Sequence, residues 1–435
     1  MVESRGSVTD RKIAVIGLGS VGLPLALLFV SKGFQVSGID LDHAKIEKLR
    51  EGISYLTDIE DKEIRTALST QRFIIADQYK EIAKVDIIII CVPTPLTAMN
   101  TPDLSFIKLA GNSLSSIIRK GQMVVLESST YPGTTKEVLQ PLLEQSRLRI
   151  GIDIFLGYSP ERIDPGNKDF PIDKIPKVLA GVTAECTRRI SQVYNQVFER
   201  MVIVSSPETA EFTKLLENSY RFINISFINQ LAVVCDTLNV DVWEVIEAAK
   251  TKPYGYTPFY PGPGIGGQCI PVDPLYLQWK ASQYGVPTPF IELSDKVNRG
   301  MSQYLVTQLK KHLSAEQQLD QAKLLVYGVS YKRDINDTRE SSGLEMIRLL
   351  KKEGMDVSYH DPYIPSVQIG HENMHSVEIT DEALEEAACV VILADHSCMP
   401  LDRILRHASL IFDTRNVTKG QMGKGKIIRL GGGNR

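Results

Sequence analysis

A cysteine lies in a part of the sequence that is rich in glycine and proline. Residues 261–274 read PGPGIGGQCIPVDP, with Cys269 after the glycines and Asp273 four residues later. A glycine-rich backbone approaches a neighbouring group closely, which is not the usual environment of a core cysteine. A thiol becomes a good nucleophile when positive charge or an adjacent base favours its thiolate. The segment therefore predicts either a reactive Cys269 or a small structural residue in an unusual loop.

A lysine and an amide lie four residues apart in a segment without proline or glycine. Lys214 and Asn218 belong to residues 208–237, where apolar residues recur at helical spacing. The two side chains share one helix face. They are either an acid–base and orienting pair in a cleft, or a lysine stem on apolar surface with its ammonium in water. The expected apolar stripe is Phe212, Leu215, Leu216, Phe222, Phe227, Leu231 and Val234.

Polar residues also follow predicted strands of a parallel sheet. Thr94 lies in VPTP, Ser129 and Thr130 in ESSTYPG, and Glu161 in YSPERIDPG. Ligands of open parallel sheets bind at the carboxyl ends of the strands. The hydroxyls are therefore candidate contacts to a ligand, or ordinary turn residues, and Glu161 is a candidate base.

Several cations near the C-terminus show the same placement. The segment GVSYKRDINDTRES brings Lys332, Arg333 and Arg339 to a strand-to-helix turn, and Arg415 follows a later strand. Cations at one sheet edge suit an anion such as a pyrophosphate. Solvated surface charge is the alternative.

A glycine turn near the N-terminus predicts a dinucleotide site. Gly17, Gly19 and Gly22 form G-x-G-x-x-G after the strand KIAVIG and before a helical stretch, and Asp40 closes the second strand. The glycines allow close approach of the backbone to a pyrophosphate at the helix N-terminus. Asp40 is expected to bind the ribose 2′-hydroxyl and to repel a 2′-phosphate, which favours NAD over NADP. Lys45 is expected to reach the same ribose.

The elements that position these residues form an α/β protein. Short apolar strands alternate with amphipathic segments over residues 12–205, helices follow, and residues 322–435 repeat the first pattern. The segment LLVYG corresponds to IAVIG of the first half, and DVSYHD corresponds to QVSGID. We predict two Rossmann-like doubly wound domains joined by a central helical domain, with boundaries at 1–205, 206–315 and 316–435. Accidental similarity between the two halves is the alternative.

Composition excludes other classes. The 435 residues are 43% hydrophobic and 23% charged with a formal charge of −3, which is typical of a soluble protein without nucleic-acid partners. No apolar run is long enough for a membrane span, and the polar N-terminus does not resemble a secretory signal. The scattered cysteines indicate a reduced, cytoplasmic setting and no metal site, with most thiols in cores.

Taken together, the motifs resemble the UDP-glucose/GDP-mannose dehydrogenase family over about residues 12–425. They are GLGSVG, VPTP, ESSTYPGTT, YSPERIDPGN, KLLENSYRFINISFINQ, PGPGIGGQCIPVD and GVSYKRDINDTRESS, in the order of the family. The resemblance implies that Cys269 is the nucleophile, with Lys214, Asn218, Asp273, Glu161 and Thr130 as the other catalytic residues. It implies cofactor contacts at Gly17, Gly19, Val21, Gly22, Asp40, Lys45, Thr94, Ser129, Thr130 and Arg339. The implied substrate contacts are Glu161, Arg162, Lys214, Asn218, Tyr260, Gly262, Gly266, Lys332 and Arg415.

The resemblance also implies a reaction and an assembly. Two NAD-dependent oxidations at C6 of a UDP-sugar would pass through a thiohemiacetal and a thioester on Cys269. ESSTYPGTT and PERIDPGN resemble the branch that acts on UDP-N-acetylhexosamines, since UDP-glucose enzymes usually carry N-P-E-F. UDP-N-acetylglucosamine is the first expectation, UDP-N-acetylmannosamine the second and UDP-glucose the third. A homodimer or larger homo-oligomer is expected, with the central helices at its interface.

Three rival functions are weighed against this one. A two-electron β-hydroxyacid-type dehydrogenase shares the helix pair but lacks the cysteine loop and the last domain. A short-chain reductase or epimerase is suggested by Tyr276 and Lys280, which fit Y-x-x-x-K, but its glycine spacing differs. A non-catalytic NAD-sensing protein is the third rival.

Overall fold

The computed structural model describes residues 10–164, 169–314 and 322–433. These residues form two compact units, one of residues up to Glu217 with Val272–Val286, and one of Asn218–Pro271 with the chain from Pro287 onward. The last residues of the motif PERIDPGN and the expected boundary at 315/316 lie outside the described residues. The division into three domains stays a prediction.

The first unit is built on an eight-stranded sheet. Its strands are β1 (Lys12–Ile16), β2 (Gln35–Ile39), β3 (Phe73–Ala76), β4 (Ile87–Ile90), β5 (Met123–Leu126), β6 (Phe155–Tyr158), β7 (Lys177–Gly181) and β8 (Met201–Ile203). The spatial order is β3-β2-β1-β4-β5-β6-β7-β8. Every pairing is parallel except that of β6 with β7, which is antiparallel with Tyr158 opposite Ala180.

Helices cover both faces of this sheet. They are α1 (Gly22–Ser31), α2 (His43–Arg50), α3 (Asp61–Ser69), α4 (Ser105–Ser115), α5 (Gln140–Glu144) and α6 (Ala184–Tyr194), with shorter turns at Tyr79–Ile82, Thr135–Leu139 and Ile172–Lys174. Along β4, Ile87 and Ile89 join one core, whereas Ile88 and Ile90 join the other. A strand that is buried on both faces must be apolar throughout, which explains the run of isoleucines.

Long helices occupy the middle of the chain. They are α7 (Pro207–Leu238), α8 (Val242–Lys250), α9 (Asp273–Ser282) and α10 (Pro289–Ser314). The division between the two units falls within α7. The prediction of one long helix over residues 208–237 is confirmed, but its apolar stripe is not all core. Leu215 and Phe222 are fully buried, whereas Phe212, Leu216 and Phe227 are exposed.

The second unit contains a five-stranded parallel sheet. Its strands are β9 (Lys323–Tyr327), β10 (Asp356–His360), β13 (Cys389–Ile392), β14 (Leu410–Asp413) and β15 (Lys426–Arg429), in the order β10-β9-β13-β14-β15. A hairpin of β11 (Ser366–Ile369) and β12 (Glu372–His375) lies between them in sequence, with α11 (Ser342–Lys352), α12 (Asp381–Glu386) and α13 (Leu401–His407). The predicted α/β class with two Rossmann-like sheets and a central helical region is confirmed.

Candidate active site

The glycine turn of the first unit has the shape that a dinucleotide requires. Gly17 has a φ of +90°, and its N–H donates to the Ile39 carbonyl over 2.8 Å. A Cβ on Gly22 would lie 1.8 Å from the Gly17 oxygen, so this position tolerates no side chain. A Cβ on Gly19 would meet no atom within 4 Å. Gly17 and Gly22 therefore allow the backbone to pack, and Gly19 keeps the surface of the turn open.

Asp40 and the N-terminus of α1 lie beside this turn. One Asp40 carboxylate oxygen accepts from the Leu18 N–H over 2.7 Å, and the other accepts from the Asp42 N–H over 2.9 Å. No side chain caps α1, which follows the half-buried Val21. Lys45 Nζ lies 5.8 Å from the centre of the Tyr55 ring. The turn thus presents an uncapped helix end and a carboxylate on one side of the sheet.

The predicted hydroxyls meet at the carboxyl ends of β4 and β5. Thr94 Oγ1 donates to the Ser129 carbonyl over 2.8 Å. Thr130 is fully buried beside Tyr158, and among the described residues its hydroxyl has no partner of good hydrogen-bond geometry. Burial raises the pKa of the Tyr158 phenol, and the charges of Glu211 and Asp273 raise it further. The phenol is therefore a neutral group next to Thr130.

Glu161 belongs to a buried ionic cluster that the sequence did not predict. Lys177 Nζ contacts a Glu161 oxygen at 2.5 Å and a Glu127 oxygen at 2.6 Å. The Tyr194 hydroxyl donates to the second Glu127 oxygen over 2.5 Å. The second Glu161 oxygen accepts from the Arg162 N–H over 2.6 Å. We call Glu127, Lys177 and Glu161 the carboxylate–lysine triad.

The two carboxyls of the triad titrate differently. Burial raises the pKa of Glu127 to about 7, although Lys177 opposes the shift. Burial also raises the pKa of Glu161, but Lys177, the Arg162 N–H and the charge of Lys214 outweigh it, so the pKa of Glu161 is lower than usual. Glu161 is therefore a carboxylate at neutral pH, whereas Glu127 gains its proton at a higher pH than an ordinary glutamate.

Lys214, Asn218 and Asp273 are all buried. Lys214 is 8% exposed and Asn218, one helical turn later on α7, is 4% exposed. An ammonium that reaches water from an apolar surface would be more exposed, so the solvated-lysine interpretation does not fit. Asp273 is the first residue of α9 and is 2% exposed. Their predicted roles in the reaction stay predictions.

Glu211 is a second buried carboxyl that the sequence reasoning missed. Its oxygens accept from the N–H groups of Gly133 and Thr135 over 2.6 and 2.8 Å, and from the Thr135 hydroxyl over 2.6 Å. Burial raises its pKa to about 7. Glu211 thereby ties α7 to the turn that follows Thr130. The sequence contained one signal for this role, because Glu211 lies one turn before Lys214 on the predicted helix.

Tyr276 and Lys280, the pair of the short-chain rival, have structural partners. The Tyr276 hydroxyl is fully buried and donates to the Thr94 and Pro95 carbonyls. Lys280 Nζ contacts a Glu137 oxygen at 2.7 Å. This arrangement leaves Tyr276 without the exposed hydroxyl that a proton donor to substrate needs.

The cysteine loop lies in the second unit. Cys269 is exposed, and the Gly267 N–H donates to the Arg339 carbonyl over 2.9 Å. A Cβ on Gly266 or on Gly267 would lie within 2.7 Å of Tyr331 atoms, so the loop packs backbone against that side chain. Asp337 raises the pKa of Arg339, and the nearby Cys269 thiol adds to the shift. The Arg339 guanidinium is thus a positive charge near the thiol, and it is also paired with an Asp337 oxygen at 2.6 Å.

The remaining predicted substrate residues form a second group in this unit. A Cβ on Gly262 would lie 2.8 Å from Arg415 Nη1, and the Gly262 N–H donates to Asn229 Oδ1 over 2.9 Å. Arg415 Nε donates to the Leu393 carbonyl over 2.8 Å. Tyr260 stacks on Trp243, at 6.0 Å between ring centres. Lys332 is half-buried in the segment after β9.

The chain matches three consecutive family models. They are the NAD binding domain of the UDP-glucose/GDP-mannose dehydrogenase family over residues 11–198, its central domain over 208–300 and its UDP binding domain over 325–420. A UDP-N-acetyl-D-glucosamine 6-dehydrogenase of Pseudomonas aeruginosa is 36% identical over 366 residues, which cover 83% of this chain and 85% of the relative. The chain belongs to the UDP-glucose/GDP-mannose dehydrogenase family.

Other members of this dehydrogenase family are similar over nearly the whole chain. A UDP-N-acetyl-D-mannosamine dehydrogenase of Pyrococcus horikoshii is 30% identical over 417 residues, covering 94% of this chain and 96% of the relative. The solved structure of a UDP-D-ManNAc dehydrogenase from Pyrococcus horikoshii superposes with a TM-score of 0.87 at 29% identity, covering 98% of this chain and 100% of that one. The predicted resemblance is confirmed.

As a member of the UDP-glucose/GDP-mannose dehydrogenase family, the chain is an NAD-binding oxidoreductase. The observed turn fits the cofactor. Gly19 leaves room for a pyrophosphate, the uncapped end of α1 offers N–H donors, and the Asp40 carboxylate lies beside the turn, where it accepts from the Leu18 N–H. No helix within the described ranges combines the length and the apolar character that a membrane span needs.

Proposed function

We propose that this protein oxidises C6 of a UDP-N-acetylhexosamine to the uronic acid, with UDP-N-acetylglucosamine as the first choice. The observation that carries the proposal is the exposed Cys269 thiol beside Arg339, in a chain that carries the NAD-binding and UDP-binding domains of the family. UDP-N-acetylmannosamine and UDP-glucose are the alternative substrates.

The relatives support an N-acetylhexosamine and leave its configuration to experiment. The Pseudomonas aeruginosa relative is named for UDP-N-acetyl-D-glucosamine at 36% identity, and the Pyrococcus horikoshii relative for UDP-N-acetyl-D-mannosamine at 30%. The motif PERIDPGN, of which residues 165–167 lie outside the described ranges, favours the same branch. The order of expected substrates therefore remains the one that the sequence motifs predict.

The first oxidation converts the C6 alcohol to an aldehyde. NAD, when bound at the glycine turn, supplies the hydride acceptor for this oxidation and for the second one. A base must take the hydroxyl proton as C6 loses hydride. Lys214 is the proposed acid–base group and Asn218 the proposed orienting group, because both are buried on one face of α7.

The second oxidation needs a nucleophile. The Cys269 sulfur adds to the aldehyde carbon, the carbonyl oxygen takes a proton, and a thiohemiacetal forms. Loss of hydride from this carbon and of the hydroxyl proton leaves a thioester. Water, with Glu161 or Asp273 accepting its proton, then cleaves the thioester and restores the thiol. One alcohol and one water become one carboxylate, with two hydrides and three protons released.

Thr130 completes the proposed catalytic set, and cations of the second unit complete the substrate set. The buried Thr130 hydroxyl is proposed to contact the reacting hydroxyl. Lys332 and Arg415 are proposed to bind the diphosphate, because a guanidinium suits phosphate oxygens. The other proposed substrate contacts are Arg162, Tyr260, Gly262 and Gly266, and Arg339 is the proposed cofactor contact.

Assembly stays a prediction as well. Within the second unit, α7 carries exposed apolar side chains at Phe227, Val234 and Leu238. Exposed apolar surface of this kind is typical of interaction sites. We therefore retain the expectation of a homodimer or larger homo-oligomer with central helices at the interface.

Replacement of the nucleophile tests the proposal. Wild-type protein should form two NADH per sugar consumed and should turn over UDP-N-acetylglucosamine faster than UDP-glucose. Cys269→Ala should lose acid formation by about three orders of magnitude or more, because no thiohemiacetal can form. Cys398→Ala, which removes the other exposed thiol, is the matched control and should retain activity.

Each contrary result identifies a different rival. One NADH per sugar in the wild type would indicate a two-electron dehydrogenase. Binding of NAD without turnover of any UDP- or GDP-sugar would indicate an NAD-sensing protein. A higher kcat/KM for UDP-glucose or UDP-N-acetylmannosamine would change the substrate and leave the mechanism standing.

A further inference from the structure

The carboxylate–lysine triad has no part in the reaction as proposed above, except through Glu161. Its three side chains come from different parts of the first unit: Glu127 follows β5, Glu161 follows β6, and Lys177 begins β7. Their side chains are 0%, 6% and 3% exposed. Buried charges are costly unless they are paired and hydrogen-bonded, so the cluster needs a reason beyond stability.

We propose that Lys177 and Glu127 are positioning residues for Glu161, an inference that rests on the role of Glu161 in the proposed function. Lys177 holds the Glu161 carboxylate charged and in place through the 2.5 Å contact. Glu127 accepts from the same ammonium through the 2.6 Å contact and thereby fixes the position of Lys177.

Hydrogen bonds hold both carboxylates of the triad in place. The Glu161 oxygen that Lys177 does not touch accepts from the N–H groups of Arg162 and Ile163 over 2.6 and 2.9 Å, so the whole carboxylate is fixed. The second Glu127 oxygen is fixed by the Tyr194 hydroxyl. Lys177 Nζ also lies 5.1 Å from the centre of the Phe198 ring, which closes this side of the cluster.

Other titratable groups face the triad from every neighbouring element. They are Cys91 after β4, Tyr158 on β6, Tyr194 on α6 and Lys214 on α7. Burial raises the pKa values of the Cys91 thiol and of both phenols, so these groups stay neutral at neutral pH. Lys177 and Lys214 therefore oppose the charge of Glu161, and Lys177 opposes that of Glu127.

Removing the two partners should affect the pH dependence differently. Lys177→Met leaves Glu161 buried without its cation, so the acidic limb of the kcat profile should move to higher pH by about one unit or more, with kcat at pH 7 reduced about tenfold. Glu127→Gln should leave the acidic limb in place, because the raised pKa of Glu127 leaves it already uncharged at the pH at which Glu161 gains its proton. Lys177→Arg should recover part of the lost kcat.

The controls separate positioning from stability. Lys32→Met breaks an exposed pair of 2.9 Å with Asp173 in the same unit and should leave the profile unchanged. The KM for NAD should stay constant in all variants. An acidic limb that remains in place in Lys177→Met, with only the melting temperature lowered, would overturn the proposal.

A stability measurement tests the part of Glu127 even where Lys177→Met does not fold. The pKa of Glu127 is raised above its unfolded value of about 4.3, so the wild type loses stability as pH rises from there to about 7. Glu127→Gln removes that loss, and its melting temperature should gain on the wild type between pH 5 and pH 8. A constant difference would show that Glu127 titrates as it does in the unfolded chain, and would contradict its role as the buried partner of Lys177.

The two proposals fail in distinguishable ways. If the wild type forms one NADH per sugar, the proposed function fails, while the stability difference of Glu127→Gln still reports the triad. If the wild type forms two NADH and the acidic limb of Lys177→Met does not move, the positioning role fails and the proposed function stands.

Discussion

The parallel sheets of the two units begin with the same backbone turn and end their second strands with the same residue. The Gly17 N–H donates to the Ile39 carbonyl over 2.8 Å, and the Gly328 N–H donates to the His360 carbonyl over the same distance. Asp40 and Asp361 each accept the N–H of the residue after that glycine over 2.7 Å. Each first strand lies between the second strand and a later one.

The turns differ in how the following helix begins. In the first unit α1 starts five residues after Gly17 without a side-chain cap. In the second unit α11 starts 14 residues after Gly328, and the Ser341 hydroxyl caps it by accepting from Gly343 N–H over 3.1 Å. The same hydroxyl donates to the Val329 carbonyl over 2.6 Å. The donors that a pyrophosphate would use are thus already bonded in the second unit.

The two aspartates also differ in how far they are exposed. Asp40 is half-buried, whereas Asp361 is 2% exposed and lies 3.2 Å from His396 Nε2. Burial raises the pKa of Asp361, but hydrogen bonds from His396 and from the N–H groups of Tyr363 and Val329 lower it by more. The pKa of Asp361 is therefore below its usual value, and the carboxylate stays charged. The turn within the NAD binding domain therefore keeps an uncapped helix end and a half-exposed carboxylate, whereas the second turn has a capped helix and a buried carboxylate.

The largest expected effect comes from the third glycine of the first turn. A Cβ on Gly22 would lie 1.8 Å from the Gly17 oxygen, whereas a Cβ on Gly343 would lie 3.3 Å from the Gly328 oxygen. Gly22→Ala should abolish NAD binding or lower the free energy of unfolding by about 3 kcal/mol. Gly343→Ala is the matched control and should cost less than about 1 kcal/mol. Thermal melts and NAD titrations of the two variants measure these effects. A larger loss in Gly343→Ala than in Gly22→Ala would contradict the difference between the two turns.

A smaller effect is expected on cofactor choice. The wild type should prefer NAD over NADP at least about tenfold in kcat/KM, a difference of about 1.4 kcal/mol. Asp40→Asn removes the charge that repels a 2′-phosphate and should narrow the preference. Asp361→Asn should leave the preference unchanged and lower the melting temperature more, because His396 loses its buried partner. Equal rates of the wild type with both cofactors would contradict the role of Asp40.

The smallest effect concerns the helix cap. Ser341→Ala removes the cap of α11 and should lower the free energy of unfolding by about 1 kcal/mol. The NAD dissociation constant should not change, because the dinucleotide binds at the first turn. A tighter or weaker dissociation constant by calorimetry would show that the second turn participates in cofactor binding.

Local patterns in the sequence were sufficient for the class of fold and for the cofactor turn. Glycine spacing, the alternation of apolar strands with helices and the position of Asp40 depend on neighbouring residues, so they are legible without tertiary structure. The long helix α7 was predicted for the same reason. The similarity of DVSYHD to QVSGID likewise predicted two aspartates at equivalent strand ends.

The burial of these residues depended on tertiary structure. The sequence does not show that Asp361 is covered by His396, which is 35 residues away, or that Phe212 and Leu216 of the apolar stripe are exposed. Lys177 was missed because β7 runs antiparallel to β6, which brings its first residue to the carboxyl end of β6. In an all-parallel sheet Lys177 would lie at the opposite edge. Strand direction is set by long-range pairing, which local sequence does not encode.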